Sequence, residues 1–135
     1  MSLTNHKLST TSNQAYEITE TVREAVVASG VAAGLCVVFV PHTTAGVSIS
    51  SFWDAKGLED VHDDINRLVP TRIDFKHQFD TPQDAAGHVK SVLVGVSLTL
   101  IIADGKPLLG HSQGIFFNEF DGPRQRQFFV KCSHG

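Results

Sequence analysis

Residues 35–50 read LCVVFVPHTTAGVSIS and contain two strand-like segments separated by a proline and a short polar turn. The first segment, Leu35–Val40, is an unbroken apolar run with β-branched residues, which predicts a strand buried on both faces. The second, Val47–Ser50, alternates apolar and polar residues as a half-buried strand does. His42 follows the first strand directly, at the kind of strand end where ligand sites form.

Three further segments predict α-helices. The first covers Glu20–Ser29, and the second covers Leu58–Val69, where apolar residues recur at helical spacing. The third begins at Pro82, with Thr81 as its N-cap and Asp84 at the positive end of the helix dipole. The apolar stripe of this third helix, expected to face the core, consists of Ala85, Val89, Val92 and Leu93.

The last third of the chain predicts strands. Ser97–Ala103 runs into Asp104-Gly105, a dipeptide typical of tight hairpin turns, and a short return strand passes through Pro107–Leu109. Gly114–Phe120 and Gln127–Cys132 follow as two more strands. Helices among the early strands and a strand-rich end predict an α+β fold with a largely antiparallel or mixed sheet.

Length and composition limit the function. A chain of 135 residues suits one domain over residues 1–135, with residues 1–12 as a peripheral segment. A net charge of -3 argues against a general nucleic-acid binder. No apolar stretch approaches the ~20 residues of a membrane span, and the N-terminus has no signal-peptide core, so we expect a soluble, cytoplasmic protein. Two cysteines without CxxC spacing are too few for a disulfide scaffold.

The seven histidines are unusual for so short a chain and suggest a metal or proton-transfer site. His42 lies at a strand end, His77 in an irregular segment, and His88 at the edge of the third helix's apolar stripe. Together they could provide the three neutral nitrogens of an open metal site. Each could equally be a surface or packing residue, because no local motif such as HExxH supports the set.

Glu119 is the acidic residue with the most informative position. Strand alternation places it on one face with Ile115 and Phe117, so we expect it to be partly buried. A buried carboxylate needs a cation or hydrogen-bond donors, which Arg124 or a metal-bound water could provide. A structural Arg–Glu pair and a functional carboxylate both remain open at this point.

Three ordered segments, His42–Gly46 (HTTAG), Gly87–Ser91 (GHVKS) and Gln113–Arg124, resemble the YjbQ family, often described as secondary thiamine-phosphate synthase. The resemblance implies a compact α+β domain with a β-sandwich or pseudo-barrel sheet, assembled as a homotrimer. The chain departs from the family pattern at Ser112, where a tryptophan is usual, and at Ser50–Phe52, where Asn-Glu-Asn is usual.

The same resemblance implies a set of site residues. It implies a divalent metal, zinc above all with magnesium possible for turnover, on His42, His77 and His88. It implies catalytic roles for Glu119, Asp64 and Lys90, and substrate binding by Thr43, Thr44, Gln113 and Arg124. The expected ligand is a small phosphorylated molecule, with no nucleic-acid or membrane partner.

Three functions follow as hypotheses. The resemblance implies the joining of an aminopyrimidine diphosphate to a thiazole phosphate with release of pyrophosphate, as a secondary activity. The first alternative is metal-assisted hydrolysis of a phosphorylated metabolite, with Glu119 or Asp64 as the base. The second is a non-enzymatic module that binds a metal or a small anion.

Overall fold

Two antiparallel sheets and three helices make up the fold in a computed structural model that describes residues 2–135. The strands are β1 (Ser2–Thr10), β2 (Gln14–Glu17), β3 (Gly34–Phe39), β4 (Ala45–Ser51), β5 (Ser97–Ala103), β6 (Lys106–Pro107), β7 (Gln113–Glu119) and β8 (Arg124–His134). The helices are α1 (Thr19–Ser29), α2 (Ala55–Leu68) and α3 (Pro82–Val94). Across the described residues, no helix has the length and apolar character that crossing a membrane requires.

One apolar core joins both sheets to α1. The larger sheet has the strand order β1-β8-β3-β5-β6, and the smaller has the order β2-β7-β4. The core draws on α1 and on both sheets, with Val22, Val38, Ile115, Phe117 and Val130 among its buried residues. The α+β class predicted from the sequence is confirmed, and the strand pairings described are all antiparallel.

The fold corrects the interpretation of β3 and clarifies the N-terminus. Only alternate residues of β3 are buried, so the prediction of a strand covered on both faces is wrong for this chain. An uninterrupted apolar run therefore leaves Leu35, Val37 and Phe39 on an open sheet face. The segment expected to be peripheral, residues 1–12, includes β1, which pairs with β8 at the edge of the larger sheet.

Helix α3 packs through small residues. Its predicted N-cap is confirmed, since the Thr81 hydroxyl accepts a hydrogen bond from the Asp84 amide at 3.1 Å. The predicted buried stripe is wrong at Val89, Val92 and Leu93, which are exposed. The helix buries Ala85, Ala86, Gly87 and Ser91 instead, because small side chains let its backbone approach the ends of β4 and β7.

Two contacts show how close this approach is. The Ser91 hydroxyl donates to the carbonyl of Ala45 at 2.7 Å. A Cβ added at Gly87 would lie 2.9 Å from the carbonyl oxygen of Phe120 and 3.3 Å from the side chain of Thr44. The absence of a side chain at residue 87 therefore sets the distance between α3 and the smaller sheet.

A buried ion pair joins β7 to β8 beneath this helix. Arg126 Nε donates to Glu119 Oε1 at 2.8 Å, and Arg126 Nη2 donates to Glu119 Oε2 at 2.5 Å. Glu119 also accepts from the Thr10 hydroxyl at 2.6 Å and from the Asp121 amide at 3.0 Å. The expected partner, Arg124, is wrong, because it lies exposed at the start of β8 and binds Asp121, whereas Arg126, two residues further along the same strand face, is buried next to Glu119.

We expect Gly87→Ala to destabilise the protein by about 1–3 kcal/mol, because the new methyl group meets backbone that cannot move aside easily. Urea denaturation measures the free energy of unfolding. Gly57→Ala is the matched control, since a Cβ at Gly57 meets nothing within 4 Å and should raise helix stability by up to about 1 kcal/mol. Equal stability of the Gly87 variant and the parent would contradict the close packing of α3.

We expect Glu119→Gln to cost about 3–5 kcal/mol at neutral pH, because it leaves the Arg126 guanidinium buried without a counter-charge. Burial alone would raise the pKa of Glu119, but the hydrogen bonds from Arg126, Thr10 and the Asp121 amide outweigh it and lower that pKa. A lowered folded-state pKa stabilises the protein above the unfolded value of about 4.3, and this contribution is lost as the pH falls through the folded value. The stability difference between parent and variant should therefore shrink below about pH 4, as followed by urea denaturation at several pH values.

Candidate metal centre

Two imidazoles and one carboxylate converge beside the N-terminal half of α3. His77 Nε2 lies 3.3 Å from Asp84 Oδ2, and His88 Nε2 lies 3.2 Å from the same oxygen. One ligand atom from each of the three residues lies within 4.8 Å of the other two. Asp84 is buried, while both histidine side chains are partly exposed, so the group opens to solvent on the histidine side.

Local sequence explains this convergence. Asp84 and His88 are four residues apart on α3, and residues at that spacing share one helix face. His77 comes from the connection between α2 and α3, where Phe75 is buried against Val69, Ala85 and Ala86. The Phe75 anchor thus holds the connection near α3, and His77 meets His88 with ring centroids 5.1 Å apart.

Arg124 adds a cation next to this group. Its Nη2 atom lies 3.5 Å from Asp84 Oδ1, so the histidines and the guanidinium approach different oxygens of one carboxylate. Arg124 also donates to Asp121 Oδ2 at 2.5 Å and lies 3.7 Å from Asp80. The hydrogen bond to Asp121 raises the pKa of Arg124, so its charge is permanent.

The donor set fits a divalent ion. Ligands about 2.1 Å from a tetrahedral metal lie ~3.4 Å from one another, and the two nitrogen-to-oxygen distances here are 3.2 and 3.3 Å. Two imidazole nitrogens with one carboxylate oxygen form a ligand set that suits zinc and related transition metals. Three protein ligands leave a coordination position free, as catalytic rather than structural zinc sites do.

His42 lies outside this group, contrary to the three-histidine set expected from the sequence. Its Nε2 atom accepts a hydrogen bond from the Gln127 amide at 2.9 Å. Burial and the nearby Arg126 charge lower the pKa of His42, so the ring is neutral and serves as an acceptor. His42 and His88 do line a common apolar cavity of about 540 Å³, together with Thr43, Phe39 and Val92.

Three of the other expected site residues serve the fold. Glu119 is 0% exposed within its ion pair. Thr44 is buried, and its carbonyl and hydroxyl oxygens both accept from Arg126 Nη2, at 3.2 and 2.8 Å. Gln113 lies at the opposite end of β7 from Glu119, where its side-chain oxygen accepts from the Gly110 amide at 2.8 Å.

The remaining expected residues occupy different places. Asp64 forms an ion pair with Arg67 on the exposed side of α2. Lys90 lies on α3 but is buried under α2, where it donates to Asn66. Two of the expected substrate-binding residues lie near the candidate metal centre. Thr43 lines the same cavity as His88, and Arg124 contacts Asp84.

Asp84 is the ligand candidate that sequence reasoning missed, because a carboxylate in a first helical turn was explained by the helix dipole alone. The signal that reveals it is the Asp84–His88 spacing of four residues on a predicted helix, which places both groups on one face.

Comparison with known proteins gives a consistent family. The family model described as UPF0047 protein YjbQ-like matches residues 4–135. A UPF0047 protein of Methanocaldococcus jannaschii is 48% identical over 115 residues, covering 85% of this chain and 81% of the relative. The UPF0047 protein YugU of Bacillus subtilis is 36% identical, covering 85% and 86% of the two chains.

Solved structures agree with these sequence matches. A YjbQ/UPF0047 family protein of Clostridium acetobutylicum superposes with a TM-score of 0.90 at 40% identity, covering 96% of this chain and 99% of its own. A protein of unknown function from Sulfolobus solfataricus superposes with a TM-score of 0.93 at 26% identity, covering 99% and 97%. The chain belongs to the UPF0047 (YjbQ-like) protein family.

Proposed function

We propose that this protein is a divalent-metal-dependent enzyme that acts on a small phosphorylated molecule, with thiamine-phosphate formation as a secondary activity. The observation that carries the proposal is the convergence of His77, Asp84 and His88 beside the Arg124 guanidinium. A metal ligand set and a fixed cation within one group of side chains suit a reaction in which negative charge develops on phosphate oxygens.

The residues divide into two roles in this proposal. His77, Asp84 and His88 would hold the ion, which when bound supplies Lewis-acid charge to a leaving diphosphate. Arg124 would orient the substrate, because a guanidinium binds phosphate oxygens through paired N–H groups. The exposed side of Arg124 is available for this, while Asp121 holds its other side in place.

The placement of carboxylates favours transfer over hydrolysis. Both bases considered for hydrolysis are already engaged, Glu119 with Arg126 in the core and Asp64 with Arg67 on the surface of α2. Transfer of the aminopyrimidine group to the thiazole phosphate, with the diphosphate leaving as pyrophosphate, needs neutralisation of the leaving charge more than it needs a carboxylate base. The altered residues Ser50–Phe52 and Ser112 lie at the far end of the smaller sheet from Glu119, so these departures from the family pattern leave the residues of the candidate metal centre unchanged.

We also propose a homotrimer. The outer face of the larger sheet exposes an apolar stripe in which Leu35 is 46% and its cross-strand neighbour Ile101 is 56% exposed. Phe39 extends this stripe to the apolar cavity that His42 and His88 line. Other copies of the chain packed on this face would cover the stripe and close the cavity.

The two free cysteines are consistent with a reducing cytoplasmic location.

We expect protein purified without chelator to contain zinc or another divalent ion, and His77→Ala and His88→Ala each to lose it, because each removes one of three ligands. Elemental analysis measures the metal content. His134→Ala is the control, since this exposed histidine lies at the C-terminal end of β8 and should retain full metal content.

The same variants test the reaction in an assay of thiamine phosphate formation with pyrophosphate release. His88→Ala and Arg124→Met should each lower the rate about 100-fold relative to the parent. The first removes a ligand of the ion and the second removes a guanidinium, so each reduces the positive charge next to the reacting phosphates. Equal rates in the parent and both variants would show that the chemistry occurs elsewhere. Metal binding with no turnover of any phosphorylated substrate would favour the non-enzymatic module.

Light scattering after size exclusion tests the trimer. We expect a mass about three times the 14.6 kDa of one chain. Leu35→Asp should dissociate the assembly, because it places a charge in the apolar stripe, whereas Val27→Asp on α1, an exposed apolar position outside the stripe, should not. A stable monomer at micromolar concentration would contradict the proposal.

A further inference from the structure

Lys90 is a buried charge without a counter-charge. Its side chain is 1% exposed, and its ammonium donates to the side-chain oxygen of Asn66 at 2.6 Å. The other buried carboxylate and guanidinium side chains of residues 2–135 have ion-pair partners, namely Glu119 with Arg126, and Asp84 and Asp121 with Arg124. Lysine is almost never fully buried unless it is paired, so this position calls for an explanation.

The groups around Lys90 are neutral and polar. His62, the one buried residue of α2, has Nε2 at 3.0 Å from the side-chain oxygen of Asn118 and Nδ1 at 3.1 Å from that of Asn13. Lys90 is close enough for its charge to lower the pKa of His62, beyond the larger lowering by burial. The Asp63 carboxylate on the exposed face of α2 opposes part of this lowering, and no carboxylate of the described residues forms an ion pair with Lys90.

A polar cavity of about 340 Å³ adjoins this interior. Asn13, His62 and Asn66 line this cavity, so the acceptor of Lys90 is part of the cavity wall and Lys90 lies behind it. Glu59 and Asp63 line the same cavity from the exposed face of α2. At about 30 Å³ for each water-sized group, the cavity has room for a ligand of about ten non-hydrogen atoms.

We propose that this cavity binds a small zwitterion, with its carboxylate or phosphate directed to Lys90 and its amine directed to Glu59 and Asp63. The anionic end supplies the counter-charge that Lys90 lacks, after the Asn66 side chain turns aside. The cationic end meets the only carboxylates that line the cavity within residues 2–135. A simple anion would be repelled by those carboxylates, and a simple amine would leave Lys90 unpaired.

Two further facts agree with this assignment. Burial lowers the pKa of Lys90, as expected for an ammonium that has lost water and gained no anion. Lys90 follows His88 by two residues, which is about 200° around α3, so this cavity and the metal centre lie on different sides of the helix. The proposal therefore does not rest on a bound metal.

NMR titration of the isotope-labelled protein in the presence of a chelator tests the proposal. The probes are β-alanine, propionate and propylamine, which share a three-carbon skeleton. β-Alanine carries both charges, propionate carries only the negative charge, and propylamine carries only the positive charge. β-Alanine should shift the side-chain amide signals of Asn13 and Asn66, and propionate and propylamine should bind more weakly. O-Phosphoethanolamine in place of β-alanine then distinguishes a phosphate from a carboxylate as the preferred anionic end.

Substitutions at one position separate charge from shape. Asn66→Asp places a carboxylate beside Lys90, so it should weaken β-alanine binding about tenfold to hundredfold, whereas Asn66→Ala should not weaken it. Lys90→Met should weaken binding to the same degree, and Glu59→Gln with Asp63→Asn should weaken β-alanine but not propionate. His88→Ala should leave binding unchanged.

Three results would overturn the proposal. The first is the absence of any shift at about 50 mM β-alanine, well above the millimolar range of a weak ligand. The second is equal binding of β-alanine by the Asn66→Asp and Asn66→Ala variants. Asn66 is exposed, so both variants should fold. The third is loss of binding in His88→Ala, which would place the probe at the metal centre instead.

Discussion

The Glu119–Arg126 ion pair is the interaction on which the rest of the structure depends. It joins β7 of the smaller sheet to β8 of the larger one, and the Thr10 hydroxyl brings in β1. Arg126 also holds both oxygens of Thr44 in the turn between β3 and β4. Because four parts of the chain meet at one buried carboxylate and one buried guanidinium, neither charge can be removed without leaving the other unpaired.

This ion pair also positions the candidate metal centre. Glu119 accepts from the Asp121 amide, Asp121 binds Arg124, and Arg124 approaches the Asp84 oxygen that the two histidines leave free. On the other side, Thr44 forms the surface against which Gly87 of α3 packs. The buried pair is enclosed in the core, where it fixes the strand ends and the helix that present the candidate metal ligands.

Sequence periodicity predicted elements well and burial less well. The hairpin at Asp104-Gly105 and the cap at Thr81 were predictable because turns and caps depend on local backbone geometry, and both have the expected conformation. The faces of α3 and β3 were not, because apolar side chains such as Val92 and Leu35 lie on surfaces that this chain leaves open. Apolar periodicity identifies a face that favours burial. It does not show whether that face packs against the same chain or against another molecule. The sequence predicted that His77 and His88 lie in one candidate metal centre. It could identify Asp84 as a third ligand only through the register of α3, and the position of His42 outside the group depends on its hydrogen bond from the Gln127 amide.

Helix α3 separates two electrostatic environments. On one side Asp84, His77 and His88 offer electron pairs to a cation, and Arg124 balances the carboxylate charge. On the other side Lys90 offers a positive charge to an interior of amides and one imidazole. The electron-pair donors of the first side favour a cation, and the unpaired ammonium of Lys90 on the second side favours an anionic group. Since buried charges in a low-dielectric interior cost several kcal/mol unless they are compensated, each side has a chemical reason to bind a different partner.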